Sequence, residues 1–187
     1  MKHLPNLITL ARLIAVPVTI YFILEGNLLV AFWLFVAAGV SDALDGAIAR
    51  LFDARSVLGG IIDPLADKVL LVSVYLSLTK VGLLPLWLAL TVVSRDLLIV
   101  GGALLSYTLS QPTSLQPLYI SKVNTLAQIT LAALVLAIHG PGLTDPTLWN
   151  NSLTTLLQYV VAATTILSGI AYVLRCELLF APSAKPL

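Results

Sequence analysis

Six long apolar runs, separated by short polar segments, constrain the fold of this chain more than any other feature of its sequence. A helix needs about 20 mostly apolar residues to cross a bilayer, and the runs have that length. The predicted membrane-spanning helices cover residues 7–25, 29–49, 61–79, 84–107, 121–139 and 152–174. Because the runs are continuous and do not alternate between apolar and polar residues, they predict helices and not membrane strands. We expect an all-α integral membrane protein, a single domain over residues 1–187 that forms a bundle of six transmembrane helices.

The scarcity of charged residues supports this interpretation. Charged residues make up 10% of the chain and the mean hydropathy is +1.01, whereas a soluble domain is about 25% charged. A net charge of +1 offers no basic field for nucleic acid, and the single cysteine, Cys176, excludes an intrachain disulfide and a cysteine-built metal site. The first run contains Arg12 and lacks a small-residue cleavage site after Gly26, so we expect it to be a retained helix and not a signal peptide.

The distribution of basic residues predicts the orientation of the bundle. With six spans, the N-terminus, the even-numbered loops and the C-terminus lie on one side of the membrane. That side would hold seven basic residues: Lys2, Arg12, Arg50, Arg55, Lys122, Arg175 and Lys185. Only Lys80 falls on the opposite side. Because lysine and arginine concentrate in cytoplasmic loops, both termini are expected on the cytoplasmic side, or the matrix side of a mitochondrial membrane.

Four aspartates lie where the second predicted helix ends and the third begins. Asp42 and Asp45 are three residues apart and Asp63 and Asp67 are four apart, so each pair shares one helix face. Pro64 is compatible with this arrangement if it lies in the first turn of the third helix, where proline is tolerated. Since the connection between the two helices is short, the two acidic faces are expected to meet just below the membrane surface.

This acidic cluster indicates a divalent metal site. One charged group at the centre of a membrane helix costs about 2.5–3.5 kcal/mol, so four carboxylates need compensation. Hard oxygen ligands without nearby His or Cys favour magnesium, calcium or manganese over zinc, and two such cations would bind a diphosphate during an in-line displacement. Gly46 and Gly59 leave space for a ligand, and Arg50 is placed to pair with phosphate. The alternative is helix capping, which explains only Asp63 among the four; Asp53 is interpreted as a loop charge.

The segment from Asp42 to Asp67 resembles the signature of the CDP-alcohol phosphatidyltransferases. The positions that match are Asp42, Asp45, Gly46, Ala49, Arg50, Gly59, Asp63 and Asp67. The resemblance, which extends to the six-span layout, implies transfer of a phosphatidyl group from a CDP-linked lipid to an alcohol, with release of CMP.

The same resemblance implies roles for these residues and a location for the protein. The four aspartates would hold two divalent cations, Mg²⁺ or Mn²⁺, and Asp67 would be the general base that activates the acceptor hydroxyl. The CDP pocket would be lined by Gly46, Ala49, Arg50 and Gly59. A homodimer in the bacterial inner membrane or the mitochondrial inner membrane is implied by the family.

Polar residues in other helices bear on the remaining parts of the site. The candidates for binding an acceptor phosphate are Lys68, Arg95, Lys122 and Asn124. An ionisable pair such as Arg95-Asp96 inside a membrane helix is a functional candidate by default, although it could also form a helix-to-helix ion pair. The alternative for Lys68 is that it only balances the charge of the nearby aspartates. Asn6 and Thr9 lie on one face of the first helix and either close the nucleotide pocket or cap that helix.

The choice of acceptor depends on two short segments. Ser94-Arg95-Asp96 and Ile120-Ser121-Lys122-Val123-Asn124-Thr125 resemble the CMP-forming cardiolipin synthases of this family. The branch that uses glycerol 3-phosphate typically has glutamate in place of Asp96 and lysine in place of Asn124. Loss of a lysine suits an acceptor phosphate diester, which carries a single negative charge.

The resemblance therefore implies CDP-diacylglycerol as donor and phosphatidylglycerol as acceptor, giving cardiolipin. The alternative acceptor is glycerol 3-phosphate, giving phosphatidylglycerophosphate. An alternative from a different class is a membrane transporter in which the aspartates relay protons or cations.

Overall fold

The computed structural model describes residues 4–51, 59–108, 119–140 and 153–180. Side chains are described for residues 14–41, 68–102, 119–140 and 153–174.

Six helices make up nearly all of this described part of the chain. They are α1 (Leu4–Leu24), α2 (Leu28–Leu51), α3 (Gly59–Lys80), α4 (Leu86–Thr108), α5 (Tyr119–His139) and α6 (Leu153–Phe180). The predicted all-α class is confirmed, and each helix coincides with one predicted span. The largest difference is at the end of α6, which continues to Phe180 although the apolar run ends at 174. Arg175 and Glu177 interrupt the apolar run, but both are good helix formers and do not end a helix.

Two tight connections turn consecutive helices back on each other. Gly26, with φ of 79°, lies between α1 and α2, and Gly82, with the same φ, lies between α3 and α4. Only glycine adopts this left-handed conformation without strain. The Asn27 carbonyl accepts a hydrogen bond from Ala31 N at 3.2 Å, and the Leu78 carbonyl accepts one from Leu83 N at 2.9 Å. These bonds begin α2 and end α3, so both connections stay short.

The helices pack around a core formed mainly by α3 and α5. Helix α1 contacts α2 and α3, α2 and α3 both contact α5, and α6 contacts α4 and α5. Val74, Tyr75 and Leu78 of α3 are fully buried, as are Leu131 and Leu136 of α5. This arrangement places the C-terminal part of α2 and the N-terminal part of α3 at the same end of the bundle, because a short segment joins them.

Large apolar side chains cover the outside of the described helices. Trp33, Leu97, Leu126, Leu156 and Tyr159 are each more than 60% exposed and lie on four different helices. Two helical segments among the described residues are long and apolar enough to cross a membrane, Tyr119–His139 and Leu153–Leu174, and Ile14–Leu24 and Leu28–Ser41 are shorter apolar segments. An apolar exterior of this extent is typical of a surface that contacts lipid or other protein.

Candidate active site

The four predicted metal-binding aspartates lie on two consecutive helices, near the end of α2 and near the start of α3. Asp42 and Asp45 belong to the C-terminal part of α2, and Asp63 and Asp67 to the first turns of α3. Their side chains lie outside the described residues, so the metal site stays a prediction. The donor set is nevertheless suitable, since carboxylate oxygens on two helices match the ligands of Mg²⁺ and Mn²⁺. Among the described side chains, no group of three or more His, Cys, Asp or Glu forms another candidate metal site.

The backbone also places the predicted nucleotide-binding residues near this end. Gly46, Ala49 and Arg50 follow the aspartates in α2, and Gly59 is the first residue of α3. The remaining two residues, Asn6 and Thr9, lie in the first turns of α1, which contacts both α2 and α3. The side chains of all six are outside the described residues, and their roles remain predictions.

A buried ionic cluster joins α3 and α4 directly after the last aspartate. Lys68 Nζ lies 2.8 Å from Asp96 Oδ1, and Arg95 Nη1 lies 2.7 Å from the same oxygen. The side chains of Arg95 and Asp96 are only 3% and 4% exposed, whereas that of Lys68 is 23% exposed. The structure therefore brings two candidate phosphate-binding residues, Lys68 and Arg95, together on one carboxylate.

Two serines extend this cluster to the remaining helices. Ser168 of α6 accepts hydrogen bonds from Arg95 Nε at 3.2 Å and from Arg95 Nη2 at 2.6 Å. Ser121 of α5 also accepts a hydrogen bond from Arg95 Nη2. With both serines and Asp96 as acceptors, the Arg95 guanidinium connects α4, α5 and α6. Two cations and one carboxylate leave this three-residue cluster with a net charge of +1.

Asn124 occupies a different environment from the ionic cluster. It is fully buried, and its Oδ1 accepts hydrogen bonds from Thr164 at 2.9 Å and from Thr165 at 2.8 Å. Asn124 Nδ2 and both polar atoms of the Gln128 side chain are buried without a hydrogen-bond partner. Asn124 and Gln128 of α5 therefore face the interior of the bundle.

Lys122, the fourth candidate for the acceptor phosphate, lies on the outside of α5. Its side chain is exposed, and Lys122 Nζ is 5.5 Å from the centre of the Tyr119 ring. This distance is within the range of a cation–π contact. The structure thus brings Lys68 and Arg95 together but places Asn124 in a helix contact and Lys122 at the surface.

Apolar clefts open beside these groups. A cleft of about 380 Å³ lies between α2, α3 and α5, lined by Gly39, Leu70, Thr125 and Ile129 among others. Its described lining comes within two residues of Asp42 in α2 and three residues of Asp67 in α3. A groove of about 580 Å³ between α4 and α6 includes Arg95 in its lining, and one of about 230 Å³ between α3 and α4 includes Lys68 and Asp96.

Sequence reasoning did not identify the role of Asp96 as the shared partner of two cations, nor the contribution of α6. A signal for the latter exists, because Ser168 follows Thr164 by four residues and Thr165 by three in a mainly apolar helix. Hydroxyl residues at this spacing form a polar stripe, and such stripes are typical of helix contacts in membranes.

Comparison with known proteins agrees with the signature in α2 and α3. The model of the CDP-alcohol phosphatidyltransferase family matches residues 2–175. The chain therefore belongs to the CDP-alcohol phosphatidyltransferase family, as its sequence predicted. This membership argues against the transporter alternative, because the match includes all four aspartates.

Individual relatives fall into two groups. A cardiolipin synthase (CMP-forming) of Rattus norvegicus is 39% identical over 150 residues, which are 72% of this chain and 50% of the relative. A chloroplastic CDP-diacylglycerol–glycerol-3-phosphate 3-phosphatidyltransferase of Oryza sativa subsp. japonica is 37% identical over 187 residues, 91% of this chain and 56% of the relative. The chain thus spans about half the length of these relatives. A Rickettsia typhi protein with the same function name as the rice protein is 29% identical over 96% of this chain and 100% of its own length.

Proposed function

We propose that this protein transfers the phosphatidyl group of CDP-diacylglycerol to an alcohol and releases CMP. The observation that supports this most directly is the complete four-aspartate signature on α2 and α3, within the region that the family model matches. The apolar cleft between α2, α3 and α5, which begins close to Asp42 and Asp67 along both helices, is suitable for lipid chains.

In this proposal the chemistry is divided among residues of α2 and α3. Asp42, Asp45, Asp63 and Asp67 hold two divalent cations, Mg²⁺ or Mn²⁺, which supply charge stabilisation to the diphosphate. Asp67 also accepts the proton of the acceptor hydroxyl, whose oxygen then attacks the phosphorus bearing the diacylglycerol. The bond from that phosphorus to the CMP oxygen breaks, and CMP leaves. The CDP moiety is bound by Gly46, Ala49, Arg50 and Gly59, with Asn6 and Thr9 closing the pocket.

We further propose phosphatidylglycerol as the acceptor, which gives cardiolipin as the product. Cardiolipin synthases are among the relatives with the highest identity. The ionic cluster of Lys68, Asp96 and Arg95 has one surplus positive charge, which suits an acceptor with a singly charged phosphate diester. Lys68 is better supported as an acceptor-binding residue than Asn124, since the Lys68 side chain is partly exposed whereas Asn124 is fully buried.

The proposed function includes a location in the membrane. All six helices cross the bilayer, both termini lie on the cytoplasmic or matrix side, and the protein acts as a homodimer in a bacterial or mitochondrial inner membrane. The apolar exterior of the described helices supports contact with lipid. The excess of basic residues at the termini and in the even-numbered loops supports the orientation.

Glycerol 3-phosphate is the second candidate acceptor. The observation that favours it is the match to the Rickettsia typhi phosphatidyltransferase, which extends over the full length of that relative. Both candidates share the donor, the metal site and the released CMP, so only the acceptor distinguishes them.

An acceptor competition distinguishes the two candidates. The purified protein is incubated with labelled CDP-diacylglycerol, Mn²⁺ or Mg²⁺, phosphatidylglycerol and glycerol 3-phosphate in one assay, and the lipid products are separated. We expect the label in cardiolipin; label in phosphatidylglycerophosphate alone would show that glycerol 3-phosphate is the acceptor. Chelation of the metal should stop CMP release in either case. Absence of CMP release with every alcohol tested would refute the transferase proposal itself.

A further inference from the structure

We propose that Asp96 is a positioning residue for the metal site. It holds the Lys68 ammonium on α4, so that this cation does not pair with the aspartates at the start of α3. This inference rests on the proposed divalent-metal site and assigns a role to an ion pair that the sequence alone leaves open between function and helix association.

The geometry of the carboxylate supports this role. A single oxygen, Asp96 Oδ1, lies 2.8 Å from Lys68 Nζ and 2.7 Å from Arg95 Nη1. The other oxygen, Asp96 Oδ2, is buried without a hydrogen-bond partner. Both ionic contacts of Asp96 in the described part of the chain therefore converge on one atom, and that atom fixes the position of the Lys68 ammonium.

Asp96 is buried and has a second cationic partner, whereas Lys68 is partly exposed. Arg95 contacts Asp96 and is bound in turn by Ser121 of α5 and Ser168 of α6. Arg95 and Asp96 are almost completely buried, while the Lys68 side chain is 23% exposed. Its flexible four-carbon stem can carry the ammonium to other partners. Asp96 is thus the buried anchor for the most exposed member of the cluster.

The position of Lys68 in the sequence explains why an anchor is needed. Lys68 directly follows Asp67 in α3, and Asp63 lies in the preceding turns. An ammonium group released from Asp96 would be attracted to these carboxylates, because charge pairs interact strongly where water is scarce. A lysine paired with a metal-binding carboxylate competes with the metal ion. Arg95 lacks this freedom, because Ser121 and Ser168 also bind its guanidinium.

The test measures metal binding directly. Mn²⁺ binding to the full-length protein in lipid nanodiscs is followed by electron paramagnetic resonance, which needs no substrate. An opposite charge placed beside a carboxylate changes its affinity for a competing cation by about tenfold or more. We therefore expect Asp96→Asn to raise the Mn²⁺ dissociation constant about tenfold, and Asp96→Glu, which keeps the carboxylate, to raise it much less. An unchanged constant in Asp96→Asn would overturn the proposal.

A second substitution at Lys68 separates positioning from simple stabilisation. If Asp96 acts by restraining Lys68, the double variant Asp96→Asn/Lys68→Met should bind Mn²⁺ as Lys68→Met does, because no ammonium remains to be released. If Asp96 only stabilises the bundle, the double variant should bind Mn²⁺ as weakly as Asp96→Asn, and the proposal fails. The comparison of the double variant with Lys68→Met does not depend on whether the single variant Asp96→Asn folds. A difference in Mn²⁺ dissociation constant between the double variant and Lys68→Met would by itself overturn the proposal.

Metal binding and phosphatidyl transfer can fail separately. Should the wild type and the four variants show the expected Mn²⁺ constants while the wild type releases no CMP, the positioning role stands and the proposed function is wrong. If the wild type releases CMP but the double variant binds Mn²⁺ more weakly than Lys68→Met, only the positioning role is wrong. Absence of Mn²⁺ binding by the wild type would overturn the positioning role together with the proposed metal site.

Discussion

The buried charged side chains of this protein pair with defined partners on neighbouring helices. Asp96 is shared by Lys68 and Arg95, and Arg95 in turn bonds to two serines on other helices. In a chain with so few charges, a buried charged residue without a partner would be costly, so the cluster is best explained as a unit. Asp67, which precedes Lys68, is the residue on which the proposed proton transfer depends.

Substitution of Asp67 tests that proton transfer. Asp67→Asn retains size and polarity but removes the base and one charged metal ligand, so CMP release should fall by about 100-fold or more. The rate is measured with CDP-diacylglycerol and phosphatidylglycerol, and thermal unfolding shows whether the fold is retained. Asp53→Asn is the matched control, because Asp53 is interpreted as a loop charge and its variant should keep the wild-type rate. Activity of Asp67→Asn at the wild-type level would exclude the assigned base.

The contact between α5 and α6 illustrates how polar groups stabilise whole elements. Asn124 of α5 is fully buried and accepts hydrogen bonds from the neighbouring hydroxyls of Thr164 and Thr165. Hydrogen bonds between helices in an apolar environment replace the hydration that these groups would otherwise lose.

Thr165→Val measures the contribution of this contact. Valine has nearly the same shape but cannot donate to Asn124 Oδ1, so we expect a loss of about 0.5–2 kcal/mol in the free energy of unfolding. Thr130→Val is the matched control, because the Thr130 hydroxyl is on an exposed face and donates only to the Leu126 carbonyl of its own helix. Thermal unfolding in the same detergent compares the two. Equal effects would show that the bond to Asn124 contributes nothing specific.

The end of α5 lies very close to the start of α2. A Cβ added to Gly140 would lie 2.6 Å from the Leu28 carbonyl oxygen, whereas one added to Gly101 of α4 would meet no atom within 4 Å. Gly140→Ala should therefore force these backbones apart and destabilise the protein by about 1–3 kcal/mol. Gly101→Ala, the same substitution in open space, should not lower the unfolding temperature. If both variants unfold like the wild type, the two helix ends are not in close contact.

At the scale of the whole molecule, the described helices have an apolar exterior and an apolar core that contains a few buried polar and charged groups. Leu97, Leu126 and Tyr159 are exposed, while Arg95, Asp96, Asn124 and Gln128 are buried. Exposed apolar residues together with buried charged residues are unusual for a soluble domain and are consistent with an exterior that contacts lipid.

The proposed topology is testable with reporters fused to the two termini. Six spans place both termini on one side, so an N-terminal and a C-terminal reporter should give the same cytoplasmic signal in a bacterial membrane. A third reporter, inserted between α3 and α4 beside Lys80, should give the opposite signal. Opposite signals from the two termini would show an odd number of spans and contradict the bundle proposed here.

The sequence by itself determined the class of fold, the number and approximate limits of the described helices, and the pairing of the aspartates on two helix faces. These features depend on local information: apolar runs of suitable length, glycine at the turns, and spacings of three or four residues. The family was also accessible, because its signature lies in one continuous segment.

Only the tertiary structure decided which polar groups meet across helices. Lys68 and Asp96 are 28 residues apart, and Thr165 is 41 residues from Asn124. Such contacts depend on how each helix is rotated about its axis and which neighbours it has, and the apolar exterior leaves this rotation weakly marked in the sequence. For this reason Asn124, predicted as a phosphate-binding candidate, is found bound to α6. Asp96, to which the sequence assigned no separate role, is found at the centre of the ionic cluster.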